Sequence, residues 1–138
     1  MDQHRLSRLP VGVATAPIHI DQPVPMSGFA ARTEPSIGTH QVGIHAAAVA
    51  LDEVTILVLD VIGIDPPLAE AIESSTASGP DRPLVIAATH THSGPAVLSE
   101  RLGSYSSEAA EAVVRAATQA VQAARRERRR CRLEVMTP

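Results

Sequence analysis

The sequence of 138 residues has no lysine, no tryptophan, one phenylalanine, one tyrosine and one cysteine. The lone Cys131 excludes an internal disulfide and a zinc site made of cysteines. So few aromatic side chains argue against a surface that stacks on bases or sugars, and the formal net charge of −3 gives no support for nucleic-acid binding. No apolar segment has the form of a signal peptide or the length of a membrane span, so we expect a cytoplasmic protein with no transmembrane segment.

What the chain does have is a large content of alanine, valine, isoleucine and leucine, which suits the layered core of an α/β protein. Its length is that of one domain with a sizeable core. We predict a polar, disordered tail over residues 1–10 and a single domain over residues 11–138.

Short apolar runs predict strands, and longer periodic segments predict helices. The expected strands are residues 11–16, 46–51, 54–62, 84–88 and 132–136. Asp65 before two prolines has the form of a helix N-cap, and a long C-terminal helix is expected over residues 107–130. The order strand, helix, strand over residues 54–89 predicts one βαβ unit. The expected fold class is therefore α/β, with a mostly parallel or mixed sheet and flanking helices.

Two segments add detail to this expectation. Residues 54–62 are apolar almost throughout, which is typical of a central strand covered on both faces. The one basic cluster, residues 125–130, has two interpretations: a solvated helix end favoured by the helix dipole, or a patch that binds phosphate.

The segment AATHTHSGP, residues 87–95, ends an apolar strand and enters a turn. On extended backbone His90 and His92 point to the same face, because side chains alternate with period two. Two imidazoles in one place suit a metal ion or an acid–base pair, whereas ordinary hydrogen-bonded histidines are the alternative. Ser93 is interpreted as a turn former rather than a nucleophile.

Asp60 interrupts the apolar strand near its end, and the two histidines follow the next strand of the βαβ unit. Because the carboxyl ends of parallel strands meet at one edge of a sheet, we expect Asp60, His90 and His92 to lie together. Asp60 is a candidate to bind a metal or to hold an imidazole in one tautomer. The alternative is a carboxylate that caps a neighbouring loop.

Residues 17–40 are rich in proline and glycine and predict a long irregular loop, which in a compact domain is functional or disordered. Gly28 in its middle either lets backbone approach a ligand closely or forms a plain turn. A catalytic zinc usually takes three protein ligands. His19, His40 and His45 have no spacing that places them beside the other two histidines.

Five segments together carry a family resemblance: GVA at residues 12–14, PMSGFA at 25–30, GTH at 38–40, VLD at 58–60 and THTHSGP at 89–95. In this order they resemble the N-terminal catalytic domain of the neutral/alkaline, non-lysosomal ceramidase family. The resemblance extends from about residue 11 to residue 130. It implies a partial domain of that family.

The family consists of zinc amidohydrolases that cleave ceramide to sphingosine and a fatty acid. The resemblance implies that His90 is a Zn²⁺ ligand and that His92 and Asp60 are catalytic, with ceramide or another N-acyl lipid as substrate. The implied substrate contacts are Gly28, His40 and Ser93. The family's other zinc ligands and its catalytic serine lie downstream of the matching region, so we expect a site completed by a C-terminal segment or a partner chain. A non-catalytic interaction module that keeps the fold is the alternative hypothesis.

Overall fold

The structure is a computed structural model and describes residues 8–21, 23–38, 43–99 and 104–132. Within these residues the chain forms five strands and two helices. The strands are β1 (Leu9–Pro17), β2 (His45–Leu51), β3 (Val54–Leu59), β4 (Leu84–Ala88) and β5 (Arg129–Cys131). The helices are α1 (Pro66–Ser75) and α2 (Ser107–Arg126).

The five strands form one mixed sheet in the order β4-β3-β2-β1-β5. β3 and β4 are parallel and are joined through α1, so the predicted βαβ unit is confirmed. The other three strand pairs are antiparallel, which makes the sheet mixed rather than mostly parallel. β2 and β3 form a tight hairpin in which Asp52 has a φ of 52°, a value that aspartate tolerates better than most residues.

The long helix α2 packs on β1, β2 and β3, and α1 packs on α2. Burial alternates along the strands because the helices of the described part of the chain cover one face of the sheet: Leu57 and Leu59 are fully buried, whereas Val54 is 39% exposed. The prediction that this strand is covered on both faces was therefore wrong. Alanine supplies much of the contact, and at Gly12 the approach to α2 leaves no room for a side chain.

Each helix begins at a side-chain cap. The backbone N–H of Leu68 donates to Oδ1 of Asp65 (3.2 Å), as the sequence predicted for α1. In α2 the N–H of Ala109 donates to Oγ of Ser106, also at 3.2 Å.

The C-terminal region differs from its prediction. α2 ends at Arg126 rather than at residue 130, because residues 129–131 pair with β1 as strand β5. Residues 133–138, which hold most of the strand predicted at residues 132–136, lie outside the described residues. At the other end, β1 begins at Leu9, inside the segment predicted as a tail, and residues 1–7 are not described.

The basic cluster is partly structural. Arg125 donates from Nε to Oγ1 of the buried Thr55 (3.0 Å), and from its other nitrogens to the carbonyl of Thr76 (2.7 Å) and to Oγ of Ser78 (3.0 Å). Burial, with the nearby charges of Arg82 and Arg128, lowers the pKa of Arg125. This side chain ties the C-terminal end of α2 to the start of β3 and the end of α1.

Candidate active site

The carboxyl ends of β3 and β4 lie side by side, as the βαβ topology requires. The N–H of Thr89 donates to the carbonyl of Leu59 (3.0 Å), and the N–H of Thr91 donates to the carbonyl of Val61 (3.1 Å). The pairing of the two segments therefore continues beyond the ends of both strands. It brings the segment after Asp60 against the histidine-containing turn.

His90 is held by both its backbone and its ring. Its φ is 60°, so the chain leaves the extended conformation here, after β4 has ended at Ala88. Nδ1 lies 2.8 Å from the carbonyl of Ile62. Because a carbonyl can only accept, Nδ1 carries the proton, and the lone pair of Nε2 is directed away from this bond.

The two imidazoles lie together, but for a different reason from the predicted one. Their ring centroids are 5.1 Å apart and their planes are inclined by 74°. Strand alternation does not produce this proximity, since the backbone is left-handed at His90 and the chain enters a turn at His92. The turn itself brings the rings of His90 and His92 into edge-to-face contact.

The loop between β1 and β2 packs on His92 from the other side. The ring of Phe29 contacts it edge to face, with centroids 5.3 Å apart. Gly28 lies directly against it: a methyl group built on Gly28 would be 2.9 Å from Cα, Cγ and Nδ1 of His92. The φ of Gly28 is 105°, a conformation that side chains rarely adopt. Gly28 thus makes room for His92. The close approach to a ligand that is one of its two predicted uses stays a prediction.

Backbone hydrogen bonds fix this loop to the turn. The N–H of Ser27 donates to the carbonyl of Gly94 (2.8 Å), and the N–H of Ser93 donates to the carbonyl of Ser27 (3.0 Å). The N–H of Ala96 donates to the carbonyl of Pro25 at 2.9 Å. We call these three hydrogen bonds the loop–turn ladder. They explain how a long loop holds a defined position beside His92.

Ser93 and Asp60 make hydrogen bonds within the protein. Ser93 is in a turn with a φ of 60°, and its Oγ accepts from the guanidinium of Arg32 (3.2 Å). The carboxylate of Asp60 accepts from the backbone N–H of His45 (2.9 Å) and from the hydroxyl of Thr89 (3.1 Å). These bonds match the loop-capping alternative for Asp60, since they join the start of β2 to the end of β4.

The donor set for a zinc ion is only partly present. Among residues 8–21, 23–38, 43–99 and 104–132, no three side chains of histidine, cysteine, aspartate or glutamate are grouped so as to hold a metal ion. His90 and His92 supply two neighbouring imidazoles, whereas a catalytic zinc usually takes three protein ligands. His40, predicted at this site, lies outside the described residues.

A cavity of about 560 Å³ opens beside the turn. Apolar side chains of the loop, with Ile44 just before β2, form most of its wall. Polar groups come from Asp21 and Ser36 on the loop and from Thr91, His92 and Ser93 at the turn. The apolar lining residues include Ile18, Ile20, Val24, Met26, Ile37 and Ile44. The volume is in the range of small-molecule binding sites, and a mostly apolar wall suits a ligand with an apolar part.

The sequence indicated the histidines but not their neighbours. In the sequence, Phe29 belonged to a loop motif, but its contact with His92 was not predicted. No nearby residue predicted that Arg32 donates a hydrogen bond to Ser93. Both contacts join segments about 60 residues apart in the chain, so no spacing rule could have found them.

The described part of the chain has no helix long and apolar enough to cross a membrane.

Comparison with known proteins supplies the class of fold. No protein-family model and no curated protein matches the sequence. The structure is similar to the neutral ceramidase from Pseudomonas aeruginosa (TM-score 0.74, 18% identity) and to a ceramidase complexed with C2 (TM-score 0.77, 20% identity). In both comparisons the match covers 90% of this chain and 22% of the ceramidase chain.

The chain therefore has the fold of a part of a ceramidase, and the ceramidase-like domain expected from the sequence is confirmed at the level of the fold. The match spans about a fifth of the length of those ceramidase chains.

Proposed function

We propose that this chain carries part of the active site of a ceramidase-like, zinc-dependent amidohydrolase that cleaves the amide bond of ceramide or a related N-acyl lipid. The observation that carries the proposal is the position of the His90–His92 pair. It lies at the carboxyl end of β4, in a ceramidase-like fold, beside a largely apolar cavity.

His90 is the proposed zinc ligand, through Nε2. The hydrogen bond from Nδ1 to Ile62 supports this role, since such a bond fixes the tautomer and the ring orientation of a ligating histidine. A bound zinc ion would lower the pKa of a coordinated water and polarise the amide carbonyl.

His92 is the proposed acid–base group. Its ring is held between His90 and Phe29, so its orientation is set before substrate binds. Hydrolysis adds water across the amide bond and releases an amine and a carboxylic acid, and a positioned imidazole can accept a proton from water and return one to the amine. The cavity would hold the acyl chain beside His92 and Ser93, which line it, and Gly28 would act indirectly by making room for His92.

The remaining ligands would come from outside the described residues, on a further segment or a partner chain. One imidazole ligand, even with the ring of His92 beside it, predicts weak zinc binding by this chain, because a catalytic zinc usually takes three protein ligands. Asp60 is then a positioning residue, because its carboxylate already accepts two hydrogen bonds from the protein.

The test is zinc titration of the purified protein by calorimetry, with His90→Ala, His92→Ala and Asp60→Asn in parallel. We expect His90→Ala to lower zinc affinity at least tenfold and Asp60→Asn to change it less than threefold. His19→Ala is the matched control, because His19 is an exposed histidine outside the site. Equal zinc affinity in the parent and in His90→Ala would refute the metal assignment.

One observation favours the alternative, a non-catalytic interaction module. The described residues bring together two imidazoles and no third metal-binding side chain. Hydrolysis of a short-chain N-acyl lipid that disappears in His90→Ala would exclude this alternative. A folded protein that binds no zinc and hydrolyses no amide would support it.

A further inference from the structure

Thr91 and Ser93 are the two hydroxyl-bearing residues that flank His92 in the chain, and both line the cavity. A hydroxyl group can donate one hydrogen bond and accept others, so by itself it does not select between a donor and an acceptor on a ligand. Hydrogen bonds within the protein remove this ambiguity for both residues.

The hydroxyl of Thr91 ends a chain of hydrogen bonds that begins at Asp60. Oγ1 of Thr89 lies 3.1 Å from Oδ1 of Asp60 and 3.4 Å from the carbonyl oxygen of Leu59. A carboxylate and a carbonyl oxygen can only accept, so the single hydroxyl proton of Thr89 is donated to one of them. Oγ1 of Thr91 lies 2.7 Å from Oγ1 of Thr89, and in this pair Thr91 is therefore the donor.

This direction fixes what Thr91 offers to a ligand. Its one hydroxyl proton is given to Thr89, and its oxygen accepts no hydrogen bond from the residues that the structure describes. The oxygen is therefore left as an acceptor. The negative charge of Asp60 at the other end of the chain strengthens it in this role, because linked hydrogen bonds polarise one another.

Ser93 has the opposite polarity. Its Oγ accepts from the guanidinium of Arg32 at 3.2 Å, and its own proton has no acceptor within the described part of the chain. This proton is available to a ligand. The positive charge of Arg32 favours an acceptor there, such as a carbonyl oxygen.

We propose that Thr91 and Ser93 together recognise a secondary amide: Thr91 accepts from the amide N–H, and Ser93 donates to the amide carbonyl oxygen. This inference rests on the proposed function for the N-acyl class of ligand, and it adds which acyl compounds the site prefers. An ester has no N–H, and a tertiary amide has carbon in its place, so neither can bond to Thr91. Thr89, Asp60 and Arg32 act through the two hydroxyls and are positioning residues.

The experiment is NMR titration of the purified protein with three ligands of similar shape: N-butylhexanamide, its N-methyl derivative and the ester butyl hexanoate. The ring signals of His92 report binding. We expect the parent protein to bind the secondary amide about tenfold or more tightly than either analogue. This comparison needs no substitution. Equal affinity for the three ligands would overturn the proposal.

Substitutions separate the two hydroxyls. Thr91→Val should reduce the preference for the amide over the ester to about threefold or less, because the acceptor of the N–H is lost. Ser93→Ala should weaken the amide and the ester alike and keep the preference, since both ligands have a carbonyl. Thr15→Val is the matched control, because Thr15 on β1 is not one of the described residues that line the cavity. It should bind all three ligands as the parent does.

Thr89 provides the test of the hydrogen-bond chain, since it too is not among the described residues of the cavity lining. Thr89→Ser keeps the hydroxyl and should keep the preference for the amide. Thr89→Val leaves the proton of Thr91 without its acceptor and should abolish that preference. A preference that persists in Thr91→Val would show that another acceptor on the wall, such as Asp21, binds the N–H, and would refute the assignment.

The zinc titration distinguishes failure of this inference from failure of the proposed function. An amide preference in a protein whose zinc affinity does not depend on His90 would support this inference and overturn the metal assignment. Zinc binding that is lost in His90→Ala, without an amide preference in the parent, would do the reverse. A parent protein that binds none of the three ligands would overturn this inference and would count against an N-acyl substrate.

Discussion

Replacing Gly28 by alanine tests whether the loop between β1 and β2 positions His92. The new methyl group would lie 2.9 Å from three atoms of that histidine, Cα, Cγ and Nδ1, none of which can move unless the backbone or the whole ring moves. The chain offers a matched control in Gly38, whose φ is 145° and which has no atom within 4 Å of a built methyl group. Both variants introduce backbone strain, and only Gly28→Ala introduces the clash.

The free-energy costs of Gly28→Ala indicate which part of the protein moves. A left-handed alanine costs about 1–2 kcal/mol, and overpacking against His92 adds about 1–3 kcal/mol. The three hydrogen bonds of the loop–turn ladder contribute about 0.5–1.5 kcal/mol each, or about 2–4 kcal/mol together. Because these sums are similar, and small beside a domain stability of about 5–15 kcal/mol, we expect local displacement of the loop rather than global unfolding.

The assay is NMR of the histidine rings together with urea unfolding. In Gly28→Ala the ring signals of His92 should move, since the ring loses its contact with Phe29, and the free energy of unfolding should fall by about 2–4 kcal/mol. Gly38→Ala should leave the ring signals in place and cost about 1 kcal/mol. If the two variants behave alike, the loop does not position His92 and this interpretation of Gly28 is wrong.

Two further predictions concern the scaffold. Gly12→Ala would place a methyl group against the backbone carbonyl of Ala124 with no room for it, so β1 and α2 must separate. We expect urea unfolding to show a loss of about 3–5 kcal/mol, and a loss below about 1 kcal/mol would contradict this packing. Arg125→Lys keeps the charge but cannot make three hydrogen bonds in different directions, which leaves the buried Thr55 without its donor. We expect a loss of about 1–3 kcal/mol in the same assay, and unchanged stability would show that these hydrogen bonds are replaced by water.

Much of the fold follows from local patterns. The apolar run at β3, the N-cap at Asp65 and the apolar run at β4 predicted the βαβ unit, because each depends on residues close together in sequence. The patterns wrongly predicted that both faces of β3 are covered. An apolar run does not show whether one layer or two will pack on a strand.

The candidate site was likewise predicted only in part from the sequence. The sequence by itself determined that two histidines follow a strand at the edge where parallel strands end, because strand periodicity and βαβ topology are local rules. Only the tertiary structure decided that His90 is left-handed, that Asp60 is used by the backbone of β2, and that Phe29 and Gly28 pack on His92. These contacts join residues that are 15 to more than 60 positions apart, and they exist because the sheet and its loop bring distant backbone segments into register.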